Sequence, residues 1–484
     1  MLLFVAAMWP QSRTAKLIFW PALLVGLGCR LYVAFTDHGI HWPDEIHQSL
    51  EPAHRLVFGY GLIAWEFSEG ARNWAFPGFI AALMGASAGL GGDSPQVYLP
   101  VIRLMFVAMS LATALGIFRV VRACGASEVA AAAGAAVWAL AAPSIYFAHR
   151  AMSENAATIA VVWAASFLLA PVASRRAIRV GASLLGLSVL FRLQMIVLVV
   201  GVLAILAARR NWRRLAESLA VLSVWGVAYG AIDAAAWGEA PGAAYGGWFH
   251  SAILYIRFNL IEGRSAEWGT SPPGYYAEFI FKSMPIVAAC LGVGLLAGLR
   301  YAAALSAPAL LFLAAHSAIP HKELRFILPM LPFAVAATVT AFDALPRAPR
   351  RAGVGVLLFG AVASAVAFPS LTWGDLGARL DYAETSAWDD AGPINRLLLT
   401  ANGQADLCGL RVDTYPAFHG ASSYLHRRVP IYHGVEDSLG FYNYAIAKAG
   451  SGLPVVARDR EMELVRVAHV TRCRVDYDYD WELR

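Results

Sequence analysis

The sequence predicts a polytopic α-helical membrane protein with a small soluble α/β or α+β domain at its C-terminal end. Three observations predict the helical membrane part and the soluble tail. Apolar stretches of about 20 residues, the length that spans a bilayer, recur between residues 17 and 368. Charged residues make up only 15% of the 484-residue chain, against about 25% in a soluble domain. After residue 370 the pattern changes. Short apolar runs at Leu410–Val412, Val429–Tyr432 and Leu464–Val467 alternate there with turn residues, as strands of a soluble fold do.

Composition excludes other classes. A disordered chain does not carry 58% hydrophobic residues. Five cysteines are too few for a disulfide framework, and no pair has metal-ligand spacing. The net charge of +5 comes from 34 Arg and only four Lys, spread between apolar segments. That is the charge of membrane topology, and no nucleic-acid partner is expected.

Candidate spans lie at about 17–35, 97–118, 128–147, 156–171, 217–236, 277–298, 301–319, 326–345 and 352–368. The stretch 77–91 is apolar but too short to cross, so a re-entrant or interfacial helix is expected. The stretch 180–208 is broken by Arg192 and is expected to form a bent hairpin with Arg192 near its turn. Spans continue through the chain, so the N-terminus is not expected to be a cleaved signal peptide. Basic residues cluster at 13–16, 119–122, 175–179, 209–214, 300 and 347–351. Placing these in the cytoplasm puts the segments 36–76, 148–155, 233–275, 320–325 and the tail on the opposite face. The expected domains are therefore a membrane domain over 1–369, with its first outer loop at 36–76, and an outer domain over 370–484.

The first outer loop contains His41-Trp42-Pro43-Asp44-Glu45-Ile46-His47-Gln48, followed by Glu66 and Arg72. A carboxylate at the membrane edge can act as general base toward a sugar hydroxyl. Asp44 and Glu45 are thus the catalytic candidates, with His41, Glu66 and Arg72 in support. A metal on His41, Asp44 and His47 is the weaker alternative, because that spacing is no metal signature. No cofactor or metal is expected. A second segment, His321-Lys322-Glu323-Leu324-Arg325, gathers three bases suited to a phosphate. Glu323 could hold one of them in position. Arg150, Glu154, Arg192 and Asp233 lie close to spans, where ionisable residues are expensive and usually face a cavity or a partner. Pairing of Arg192 with Glu154 or Asp233 is one structural role open to it. The loop 263–276, with Trp268, Tyr275 and Tyr276, could line a sugar site or form an interfacial belt.

The His-x-Pro-Asp-Glu segment, Trp65-Glu66 with Arg72, and His321-Lys322-Glu323-x-Arg325-Phe326 resemble glycosyltransferase family 22. That family contains the α-mannosyltransferases of N-glycan and GPI-anchor assembly, and the resemblance covers about residues 17–345. It implies the GT-C membrane fold and a polyprenyl-phosphate sugar donor, with mannose the usual sugar. It also implies a glycan or glycolipid acceptor and an inverting displacement at the outer face. Asp44 matches the family's proposed base. His321, Lys322 and Arg325 match the motif proposed to hold the donor phosphate, and Arg192 is added from its position. Two departures stand out: Trp42 precedes Pro43, and Asn73 stands where eukaryotic members often have Ser. Arg over Lys and abundant Ala and Gly point to a bacterial gene of high GC content, with an inner-membrane protein whose site faces the periplasm. Arabinose and glucose remain open as donor sugars. The rival reading is a membrane transporter or lipid flippase with a one-sided polar cavity. Clustering of the ionisable residues on one face favours the enzyme. Cys408 and Cys473 both fall in the tail, where an oxidising compartment would allow a disulfide.

Overall fold

The computed structural model describes residues 9–239, 245–378, 382–433, 440–467, 470 and 472–483. Residues 240–244 of the segment 233–275, and short stretches of the tail, lie outside them. Among the described residues, five helices are long and apolar enough to cross a membrane: Arg13–Thr36, Pro95–Ala123, Trp212–Trp237, Leu324–Asp343 and Arg347–Ser370. The other expected spans are shorter helices, and proline accounts for two of the breaks. The stretch 128–147 divides into Glu128–Leu140 and Ala142–Tyr146. Pro143 has no N–H to return to the preceding turn and its ring clashes with the carbonyl four residues back, and Ala141 turns extended (φ −67°, ψ 130°). Pro285 likewise ends Tyr275–Ser283 before Pro285–Tyr301 begins.

The break at Pro143 frees backbone carbonyls in an apolar setting, where each needs a donor. Arg30, fully buried, supplies them. Its guanidinium donates to the carbonyls of Ala139 at 2.6 Å, Trp138 at 3.1 Å and Gly26 at 3.0 Å, and to Ser110 Oγ at 3.0 Å. Arg30 is a lone charge inside the apolar run 17–35, so the sequence carries a signal for it.

The chain breaks at Arg192, as expected. Arg175–Phe191 ends there, Arg192 is extended (φ −151°, ψ 111°), and Ile196–Ala208 follows after one 3₁₀ turn. The two halves pack on different partners. The first lies on Ser153–Leu168 and the second on Ala303–Ala318, while Trp212–Trp237 touches both. Arginines stand at the helix ends, at 122, 175–176, 209–210, 300 and 347.

The compact units of the fold cut across the boundary expected at 369/370. One unit comprises Met1–Val33 and Met105–Thr385, the other Ala34–Leu104 and Ser386–Arg484. The first outer segment therefore folds with the tail, because their backbones are joined. Strand β1 (Ile63–Ala64) pairs in parallel with β7 (Glu482–Leu483). Between them in sequence run β2 (Leu410–Val412), β3 (Ile431–His433), β4 (Tyr444–Lys448), β5 (Val455–Asp459) and β6 (Met462–Arg466). These five form one mixed sheet, ordered β3-β2-β4-β6-β5. β2 runs parallel to both neighbours, and the β4-β6-β5 edge is antiparallel. The helix Gly392–Asn402 covers the sheet. Cys408 and Cys473 are bonded, with Cα atoms 5.7 Å apart.

Candidate active site

In the unit that contains the tail, the His41–Gln48 segment opens a helical stretch. The Trp42 carbonyl accepts the Glu45 N–H, and the Pro43 carbonyl accepts those of Ile46 and His47. Glu45 Oε2 reaches back to the His41 N–H at 3.1 Å, as the acid of a capping box does. Glu45 is thereby committed to holding the loop, and Asp44, half-buried, sits in the same first turn. A π-helical turn over Ile46–Leu50 follows. Its cause lies in Pro52, whose ring cannot fit beneath a tight α-turn and which has no N–H to return. The Glu51 N–H bonds back to the Ile46 carbonyl instead of continuing the α-pattern.

Glu66 stands over this turn. Its Oε1 accepts the Gln48 amide at 2.7 Å. Burial pushes its pKa up to about 7, with Arg72 pulling it down and the charge of Asp44 pushing it up. Glu66, Arg72 and Asp44 are therefore electrostatic neighbours. Asn73 Oδ1 accepts the Ala75 N–H at the start of Ala75–Gly89. Serine serves the same end-of-helix role, so that departure is a conservative one.

Two features of this unit join residues of the first outer loop and of the tail to which the sequence assigns no partner. Glu51, fully buried, accepts the N–H groups of Leu62 (2.8 Å), Ser422 (3.1 Å) and Ser423 (2.8 Å). Burial nonetheless pushes its pKa up to about 7. Two histidine pairs also occur, His54 with His426 at 3.0 Å and His419 with His433 at 2.8 Å. The first joins residues 372 apart in sequence, which no local spacing could announce, and the second links two histidines 14 apart in the tail. Among the described residues, no group of three or more His, Cys, Asp or Glu is placed to hold a metal ion.

The other unit contains the second motif as a chain of alternating charges. Glu154 Oε1 accepts Arg192 at 3.1 Å and Arg325 at 3.0 Å. Arg325 also grips Glu323 with two parallel bonds, of 2.6 and 3.0 Å, the strong bidentate form. Glu323 Oε1 receives His321 Nε2 at 3.0 Å, while His321 Nδ1 faces the Gly269 carbonyl at 3.2 Å. Both ring nitrogens face acceptors, which only the imidazolium satisfies. Burial works against that charge, but Glu323 outweighs it and raises the His321 pKa above its ordinary value.

Lys322 differs from its neighbours. It is 6% exposed. Its ammonium donates only to backbone carbonyls, those of Ser271 at 2.8 Å, Ile319 and Pro320. Among the described residues its charge meets no carboxylate, and burial lowers its pKa. Among the described pairs, Arg192, His321 and Arg325 share the carboxylates of Glu154 and Glu323, and the charge of Lys322 beside them is matched by carbonyls alone, an arrangement favourable to an anion. Tyr276 is buried within electrostatic reach of Glu323 and Arg192, and its hydroxyl has no hydrogen-bond partner among the described residues. Arg150 is fully buried, with its guanidinium over the Tyr146 ring at 4.5 Å. Asp233 receives the N–H and hydroxyl of Ser251 at 2.9 and 2.7 Å, tying Trp212–Trp237 to His250–Ile256.

This arrangement of membrane helices with a small mixed-sheet unit is the GT-C fold of membrane glycosyltransferases. The fold matches that of ArnT from Cupriavidus metallidurans bound to undecaprenyl phosphate, with a TM-score of 0.64 and 18% identity, over 94% of this chain and 98% of the other. It also matches the Archaeoglobus fulgidus oligosaccharyltransferase in the apo form, with a TM-score of 0.55 and 11% identity, over 90% and 69%. The chain belongs to the Alg9-like mannosyltransferase family, whose profile matches residues 22–373. It is 27% identical to GPI mannosyltransferase 3 of Yarrowia lipolytica, over 69% of this chain and 64% of that protein. It is 25% identical to GPI alpha-1,2-mannosyltransferase 3 of Xenopus laevis, over 84% and 73%. The chain thus spans about two thirds of the length of these relatives.

Proposed function

We propose that this protein transfers mannose from a polyprenyl-phosphate donor to a hydroxyl of a glycan or glycolipid acceptor, with inversion at the sugar. The observation that carries this reading is the buried basic cluster around Lys322, within a chain of the Alg9-like mannosyltransferase family. Asp44 takes the proton of the acceptor hydroxyl as its oxygen attacks C1 of the sugar. The bond from C1 to the phosphate oxygen breaks, and the polyprenyl phosphate leaves with the electron pair. Lys322 stabilises the charge that develops on that phosphate, and Tyr276 offers it a hydroxyl. Arg192, Arg325 and His321 hold the positive field, and Glu154 and Glu323 fix their geometry. The basic residues at the helix ends support a cytoplasmic side opposite the first outer segment. The disulfide of the tail supports an oxidising compartment, the periplasm of a bacterial inner membrane. A transporter has no need of a general base at Asp44, and the family match speaks for transfer chemistry.

The donor class tests this directly. Purified protein in liposomes, given radiolabelled polyprenyl-phosphate mannose, should transfer label to a membrane glycolipid extract. GDP-mannose should give none. Transfer from GDP-mannose, or movement of intact donor across the bilayer without product, would reject the proposal.

A further inference from the structure

We propose that Trp42, Phe418 and Tyr415 form an aromatic platform that receives a pyranose ring of the acceptor. The inference rests on the reading of Asp44 as base and deepens it by naming the chemical group that is recognised. Trp42 and Phe418 meet edge to face at 6.4 Å, and Phe418 and Tyr415 lie 6.0 Å apart. Phe418 is 41% and Tyr415 63% exposed, and Trp42 is half-buried. Scattered apolar residues at a surface need no explanation. Three aromatic rings in contact, all in one unit and with two well exposed, call for one.

The position supplies it. Trp42 and Asp44 belong to one turn, closed by the bond from the Glu45 N–H to the Trp42 carbonyl. A ring seated on this platform would have its hydroxyls near the carboxylate assigned to deprotonate one of them. Pyranose rings present flat C–H faces, and aromatic side chains offer large apolar surfaces with a negative π-face. The residues that follow Phe418 are tied down by hydrogen bonds, which lowers the ordering cost of binding. His419, next to Phe418, is buried between the Ala421 N–H on its Nδ1 (3.0 Å) and His433 on its Nε2 (2.8 Å). The carboxylate of Glu51 holds the next two N–H groups, those of Ser422 and Ser423.

The test is saturation-transfer NMR on the full chain in nanodiscs, with methyl α-mannoside and α-mannobiose as probes and the aromatic protons irradiated. The wild type should saturate the sugar C–H protons. Trp42→Ala and the exposed variant Tyr415→Ala should each weaken the signal about 10-fold, the effect of one lost aromatic contact. Trp42→Phe should restore most of it. Tyr415→Ala guards against misfolding, because that side chain is mostly in solvent. A wild-type signal no stronger than that of the variants overturns the inference. So do variants impaired only in retention by phosphatidylcholine liposomes, which would assign the rings to the bilayer surface. The readout needs no donor, so failure of the donor assay above leaves it a separate result.

Discussion

The Arg192 guanidinium lies 3.1 Å from Glu154 Oε1, with both side chains buried. The same oxygen accepts Arg325 at 3.0 Å, so one carboxylate bridges two arginines. Glu154→Ala leaves both charges buried without that acceptor, and a loss of about 3–5 kcal/mol is expected. Glu154→Gln keeps an acceptor of the same shape and should lose less. Thermal unfolding in detergent measures both. Equal melting temperatures for wild type and Glu154→Ala would remove Glu154 from the framework.

Glu66 sets a pH dependence. Burial raises its pKa from 4.5 to about 7 beside Asp44. A raised carboxyl stabilises the fold below pH 4.5, and that contribution is lost as pH rises through about 7. Ionisation also adds a negative charge next to Asp44 and raises its basicity. The profile of kcat/KM should therefore climb through an inflection near pH 7, and Glu66→Gln should abolish it. An inflection that survives in Glu66→Gln belongs to another group.

The cysteines give a count. Alkylation of the denatured, unreduced protein should modify three thiols, Cys29, Cys124 and Cys290. After reduction all five should react. The bond closes a loop of 65 residues, and by the chain-entropy argument Cys408→Ser costs the tail about 4 kcal/mol. Five reactive thiols without reduction would contradict the pairing and remove its support for an oxidising compartment.

Much of the fold was legible because a bilayer demands long apolar segments, and hydropathy reads those directly. The break at Arg192 was legible for the same reason, since a lone charge in an apolar run must be accommodated. What stayed hidden depends on chain ends meeting. The pairing of Ile63–Ala64 with Glu482–Leu483 moves the first outer segment into the tail's unit, and nothing local in either dipeptide specifies it. Motif residues were visible as types, and the pairings open to Arg192 and Glu323 were visible too, but most other contacts were not. Glu45 and Asp44 read alike in sequence, yet Glu45 is committed to the His41 N–H. Lys322, Arg325 and His321 read as equal bases, yet only Lys322 is matched to carbonyls alone.

The account stands most directly on Asp44. In liposomes with polyprenyl-phosphate mannose and a glycolipid acceptor, initial rates should be compared for the wild type and Asp44→Asn at matched expression and melting temperature. The account predicts a fall in kcat of about 10²–10⁴-fold, with the KM for donor little changed. Turnover of Asp44→Asn within a few-fold of the wild type would contradict it and place the base elsewhere.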